Sequence, residues 1–264
     1  MVVEHYIGLV FRAVLFLSIA AALPVSSFAQ GPIFLSPANT APINDFAPSF
    51  SYVRKGSETD LTVGGLYGLL PPVSLALSTT MIANEDGPFQ LGRVQVQAKL
   101  RLYQKVGEGT RTVLGFSSSL GLPAGESVRQ VAGINTVSNV IESFTASHVT
   151  RRAGFFAGAQ YTLDAHEIGN LSTATIGVAA SWRLKPAAPG STGGPGFTLF
   201  GETLGHYEAD HSGWFAVAPG FMYRSGPSQF KVGLRMPVVR WNSTSKPMFT
   251  AGTSFFIPTK SSKR

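Results

Sequence analysis

Cysteine is absent from the 264-residue chain. Its absence excludes a lipid-modified cysteine anchor, structural disulfides and thiolate metal sites. Charge is scarce: only 13% of residues are Asp, Glu, Lys or Arg, and 14 acids face 21 bases. Beyond Val25 no apolar run approaches the ~18 residues of a transmembrane helix, so none is expected in the body of the chain. Nor is there a helical period of useful length past Val25, which excludes alternating strand–helix architectures.

What is present is glycine (29 residues) and an apolar fraction of 44%. The start of the chain reads as an export leader. Arg12 supplies the positive region, Ala13 to Val25 the apolar region, and Ser27-Phe28-Ala29 a small-x-small cleavage site before Gln30. Residues 1–29 are therefore expected to be a signal peptide, with an uncleaved N-terminal anchor as the alternative. The net charge of +7 survives cleavage because Glu4 and Arg12 cancel. Those positive charges are dispersed along the chain rather than clustered, and export argues against a nucleic-acid partner.

The dispersed charges follow a rule. From Arg93, the residues Gln95, Gln97, Lys99 and Arg101 fall on one face of an extended strand, while Val94, Val96, Ala98, Leu100 and Leu102 fall on the other. Phe230, Val232, Leu234 and Met236 oppose Lys231, Gly233 and Arg235 in the same way. Ile176, Val178, Ala180, Trp182 and Leu184 oppose a row of small residues ending in Arg183. A soluble sandwich buries its greasy faces, whereas an outer-membrane barrel turns them to lipid and lines a wet interior with the polar ones.

Gln30 to Asp45 reads as an irregular N-terminal extension, and twelve strand candidates follow between Phe46 and Ile257. Most are about ten residues long, enough for a tilted strand to cross a bilayer, and the number is even. With the first strand running outward, the connections on the inner side are short, Lys185 to Pro195 excepted. The outer side carries the longest loop, Pro123 to Glu142. This asymmetry belongs to outer-membrane barrels. Tyr67, Tyr103, Tyr161, Trp182, Tyr207, Trp214 and Tyr223 are expected at the two membrane interfaces. The expected fold is an all-β, antiparallel, up-and-down barrel over residues 46–258 with a basic tail, 259–264.

Four strings carry a family resemblance: Tyr67-Gly68-Leu69, Leu120-Gly121-Leu122-Pro123-Ala124-Gly125, Trp214 to Tyr223, and Val232-Gly233-Leu234-Arg235-Met236-Pro237. Together they resemble the outer-membrane transporters associated with the meta-cleavage pathway of phenol degradation. In that family a strand ending in Leu-x-Leu-Pro-x-Gly enters a long external loop. The resemblance spans roughly Phe46 to Pro258. It implies a channel for hydrophobic or aromatic compounds and brings no catalytic motif. One departure is the C-terminus: Phe255-Phe256 is followed by Ile257-Pro258 and the tail, where such barrels end on an aromatic residue.

The candidate pore-lining residues are Arg93, Gln95, Gln97, Lys99, Arg101, Arg183, Lys231 and Arg235, with Glu202 as acidic partner. Such a row raises the local concentration of anions, or simply hydrates a polar lumen. Phe200 and Leu204 share the face of Glu202, which sets an apolar pair against the polar side. Among the histidines, His206 with Glu202 is the best catalytic pair, but four residues along a strand separate them by about 13 Å. His148, His166, His206 and His211 are read as loop or interface residues, and His206, Glu208, Asp210 and His211 match no compact metal pattern.

No catalytic residue, metal or cofactor is assigned. The expected protein is a monomeric outer-membrane channel passing small hydrophobic, aromatic or anionic solutes by diffusion. Its partners are outer-membrane lipid and the barrel-assembly machinery. The alternatives are a closed structural or surface-interaction barrel and, behind it, a membrane-embedded lipid-modifying enzyme. Twelve strands lie between the eight that side chains fill and the sixteen of wide porins, so a narrow pore is expected.

Overall fold

The computed structural model describes residues 40–41, 43–84, 87–124, 136–166, 169–188, 195–255 and 257. The expected leader over residues 1–29, most of the expected N-terminal extension and the basic tail therefore lie outside the described residues.

Alternation at period two, interrupted by Gly/Pro turns, produces twelve strands. They are β1 (Phe46–Lys55), β2 (Glu58–Leu70), β3 (Val73–Asn84), β4 (Gln90–Gly107), β5 (Thr110–Pro123) and β6 (Thr136–Thr150). The second half comprises β7 (Ala153–His166), β8 (Gly169–Arg183), β9 (Gly196–Glu208), β10 (Gly213–Ser225), β11 (Ser228–Trp241) and β12 (Met248–Phe255). Each strand pairs antiparallel with the next, and β12 returns to β1 to close the barrel. Closure leaves no strand edge unpaired, which a sheet in hydrocarbon requires. The expected fold class is therefore the observed one.

The outer wall is apolar. Val96, Leu100, Leu120, Phe144, Ile176, Val178, Leu199 and Leu234 all point out and are exposed, Ile176 at 65% and Val178 at 55%. Of the expected interface aromatics, Tyr67, Tyr103, Tyr161, Trp182, Tyr207 and Tyr223 are on this outer surface. Trp214 is a correction: it is only 6% exposed and faces inward. The reason is parity, since Phe215, Phe221 and Tyr223 take the outward positions of β10 and Trp214 falls in the opposite row.

Five register shifts interrupt the ladders among the described residues, and three of them correct the strict alternation. Register shifts at Gly68/Leu70, Arg101/Tyr103 and in the β10–β11 pairing between Phe215 and Ala216 each bring two successive apolar residues outward. The exposed pairs are Leu69–Leu70, Leu102–Tyr103 and Val238–Val239.

β6 begins at Thr136, seven positions before the expected Ser143. The long external loop is correspondingly shorter, and residues 125–135 lie outside the described part. At the inner end, Asn44 and Asp45 exchange backbone hydrogen bonds with Gly68, while Ala41 donates its N–H to Ser74 Oγ at 2.8 Å. Thr40 and Ala41 are buried against the inner rim of the barrel, without regular secondary structure.

Candidate functional site: the barrel interior

The basic face of β4 points inward along its length. It faces Ser74, Ala76, Ser78 and Thr80 of β3 on one side and Gly115, Ser117, Ser119 and Gly121 of β5 on the other. Small neighbours leave room for long side chains, which lean across the wall. Gln95 donates to Ser119 Oγ at 2.9 Å and Gln97 to Ser117 Oγ at 3.2 Å. Ser117 and Ser143 hydroxyls meet at 2.6 Å, so the row continues onto β6. Arg101 is tied down at the inner end, where its guanidinium donates to the carbonyl of Pro71 in the β2–β3 turn.

Across the lumen, Lys231 and Arg235 project from β11. Lys231 lies within electrostatic reach of both Glu202 and Lys99. Glu202 is 2% exposed, flanked along β9 by buried Phe200 and Leu204. The conflict between Glu202 and its apolar face-mates thus resolves inside the barrel. Phe200 packs with Val149, Phe156, Ala179 and Met222 into a greasy cluster within the lumen, which porin-like alternation alone did not lead one to expect. Arg183 is also inward and buried, donating to the carbonyl of Pro195 at 3.1 Å. Neither Arg183 nor Glu202 faces open solvent.

The outer end of the lumen holds a cluster that the sequence reading missed. His206 stacks on Trp214 with ring centroids 4.9 Å apart and planes at 15°. The Arg235 guanidinium lies over Trp214 at 4.4 Å. Thr175 Oγ1 and His206 Nδ1 are 2.8 Å apart, and His206 Nε2 lies 3.4 Å from Glu208. His206 is thus a luminal residue, not a loop or lipid-interface one as expected. The period-two spacing of His206 and Glu208 was the signal available, since it puts them on one face. The chosen pair, His206 with Glu202, is not brought together as an ion pair. His148 sits on the outer wall beside Thr112 Oγ1 at 2.9 Å, and His211 in the β9–β10 turn meets Tyr207 Oη at 2.6 Å. Among the described residues no three His, Asp or Glu side chains converge as metal ligands.

A cavity of about 190 Å³ opens at the seam between β11, β12 and β1. Phe50, Ser51, Gln229, Lys231, Thr250, Gly252, Thr253 and Ser254 line it.

No protein-family model and no curated protein matches the chain. Solved structures do. An outer-membrane channel from Pseudomonas putida F1 aligns with a TM-score of 0.56 at 10% identity, covering 86% of this chain and 100% of that one. The NanC porin aligns with a TM-score of 0.50 at 9% identity, over 80% of this chain and 98% of its own. The KdgM porin in complex with disordered oligogalacturonate gives 0.50 at 9% identity, over 79% and 98%. At such identities the likeness concerns the fold: a closed barrel of the outer-membrane porin kind.

Proposed function

We propose that this chain is an outer-membrane channel that passes small solutes by diffusion and favours anions over cations. The observation that carries the reading is the inward row Arg93, Gln95, Gln97, Lys99 with Lys231 opposite, in a closed barrel whose outer wall is apolar. Fixed positive charge in a narrow, low-dielectric tube concentrates anions and repels cations. The similar solved barrels supply support at the level of fold, and one that takes oligogalacturonate is a precedent for an anionic solute. The resemblance to the phenol meta-pathway transporters supports hydrophobic or aromatic compounds among the solutes. The luminal His206 meets the Thr175 hydroxyl and the Glu208 carboxylate, and the proposal gives it no catalytic step.

The test is conductance of the purified barrel in planar bilayers under a salt gradient. Wild type should conduct steadily with a reversal potential on the anion side. Lys99→Gln/Lys231→Gln should cut the anion-to-cation permeability ratio by about twofold or more. A folded barrel that carries no current would favour the closed interaction barrel instead.

A further inference from the structure

The interior is not symmetric. Inward residues along β5 to β10 are largely buried: Val113, Ser117, Ser119, Ser143, Thr145, Ser147, Phe156, Ala179, Phe200, Ala218 and Met222 all lie out of reach of solvent. Near the outer end Gln160 and Thr175 are less enclosed. Except at its inner end, where Ser74 is buried beneath Ala41, the opposite arc, from β11 through β12, β1, β2 and β3 to β4, behaves differently. There Lys231, Thr250, Gly252, Ser254, Ser51, Thr62, Ser78, Gln95 and Lys99 are only partly covered. The same arc carries the cavity at the β11–β12–β1 seam.

The cause lies in side-chain volume. Phe156, Phe200, Leu204, Met222 and Trp214 project from one arc and fill their half, while β12, β1 and β3 contribute small residues that fill little. Twelve strands enclose more than side chains of one arc can fill, so the remaining space is displaced to the other side.

From this the geometry points to an off-axis solute path along the β11–β12–β1–β4 arc, with Lys231 as its binding station for small hydroxylated monocarboxylates. Lys231 lines the cavity and offers the cation for the carboxylate, and Lys99 lies within its electrostatic reach. Ser51, Thr250 and Ser254 with Gln229 offer donors and acceptors for hydroxyl groups. Glu202 within reach of Lys231 holds down the local excess of positive charge, which favours a monoanion over a polyanion. The cavity of about 190 Å³ has room for a solute of a few carbons. This inference rests on the channel reading for its physiological sense but is tested separately from it.

Because the chain lacks cysteine, single cysteines report without background. Ser51→Cys, Ser78→Cys and Ser254→Cys probe the open arc; Ser117→Cys, Ser143→Cys and Ser147→Cys probe the filled one. Each is a near-isosteric change, and heat-modifiable migration selects the folded variants within each set of three. Modification by the anionic sulfonatoethyl methanethiosulfonate is followed by mass in detergent, so no current is needed. The open-arc cysteines should react at least tenfold faster than the filled-arc ones. Adding Lys231→Gln to Ser51→Cys should slow the anionic reagent about threefold and leave a cationic trimethylammonium reagent unslowed. Gluconate should protect Ser51→Cys better than butyrate does. Equal rates on both arcs overturn the off-axis path, and an unchanged charge preference in Lys231→Gln overturns the station. Equal protection by gluconate and butyrate overturns the solute class. Asymmetric labelling with the charge preference intact in a barrel that carries no current would leave the Lys231 station standing and overturn the solute path together with the channel reading.

Discussion

Trp214 shows how one residue acquires a role from its row rather than from its type. An indole in a porin-like strand belongs by composition at the membrane interface, yet here it lies inside the outer mouth in contact with His206 and Arg235. Trp214→Ala should lower stability to urea in detergent by about 3 kcal/mol, the cost of removing a buried aromatic. An unchanged midpoint would mean that the stack contributes nothing. Asp210, in the β9–β10 turn, gives a second prediction at this scale. The Ser212 backbone N–H at 2.9 Å, followed by the Ser212 hydroxyl, holds its carboxyl below the ordinary 3.8. A depressed folded-state value means that the turn is fully stabilised above 3.8 and loosens as pH falls through the lower, folded value. A side-chain NMR titration of Asp210 should show a midpoint below 3.8, and a midpoint at or above it would remove the Ser212 interaction in solution.

At the scale of the element, β6 is the instructive strand. Its sequence mixes polar residues on both faces, so its beginning at Thr136 was not legible from alternation. Pairing with β5 and β7 supplies the register instead. That register places Glu142 on the outer wall between Ser118 and Tyr161, in the row of exposed Val140 and Phe144. Ser118 Oγ donates to its carboxylate at 2.7 Å, easing a group that lipid would otherwise penalise. Glu142→Leu should therefore raise the unfolding free energy in lipid vesicles by roughly 1 kcal/mol. A loss of stability would show that the Ser118 hydrogen bond outweighs the cost of holding the carboxylate against lipid. In β4 and β11, by contrast, strict alternation made both faces readable directly: the basic rows lie inside and Val96, Leu100, Leu234 and Met236 outside.

For the whole molecule the decisive contact is between its ends. β1 and β12 pair over seven residues, from Ser49↔Ser254 to Lys55↔Met248. Phe46 adds a bridge to Ile257, and its ring covers Gly65, where any Cβ would meet it. Removing residues 248–264 would expose the edges of β1 and β11 to hydrocarbon. The truncated chain should yield no heat-modifiable band after refolding into detergent, and a normal band would show that eleven strands close by themselves.

The sequence by itself determined the class of fold and the direction in which most side chains point. Period-two alternation over about ten residues suffices, because a strand in lipid must keep the row it turns outward apolar. It also carried the candidate lining residues of β4 and β11, whose charges have nowhere to go but the lumen. Only the tertiary structure decided which part of that lumen is filled. Phe200, Met222 and Phe156 lie on different strands and meet only when β7, β9 and β10 curve around a common interior. Strand period records which face a residue takes but not what stands across the barrel from it. The join of Lys231 with Lys99 and Glu202, and the stack of Arg235, Trp214 and His206, are therefore products of closure.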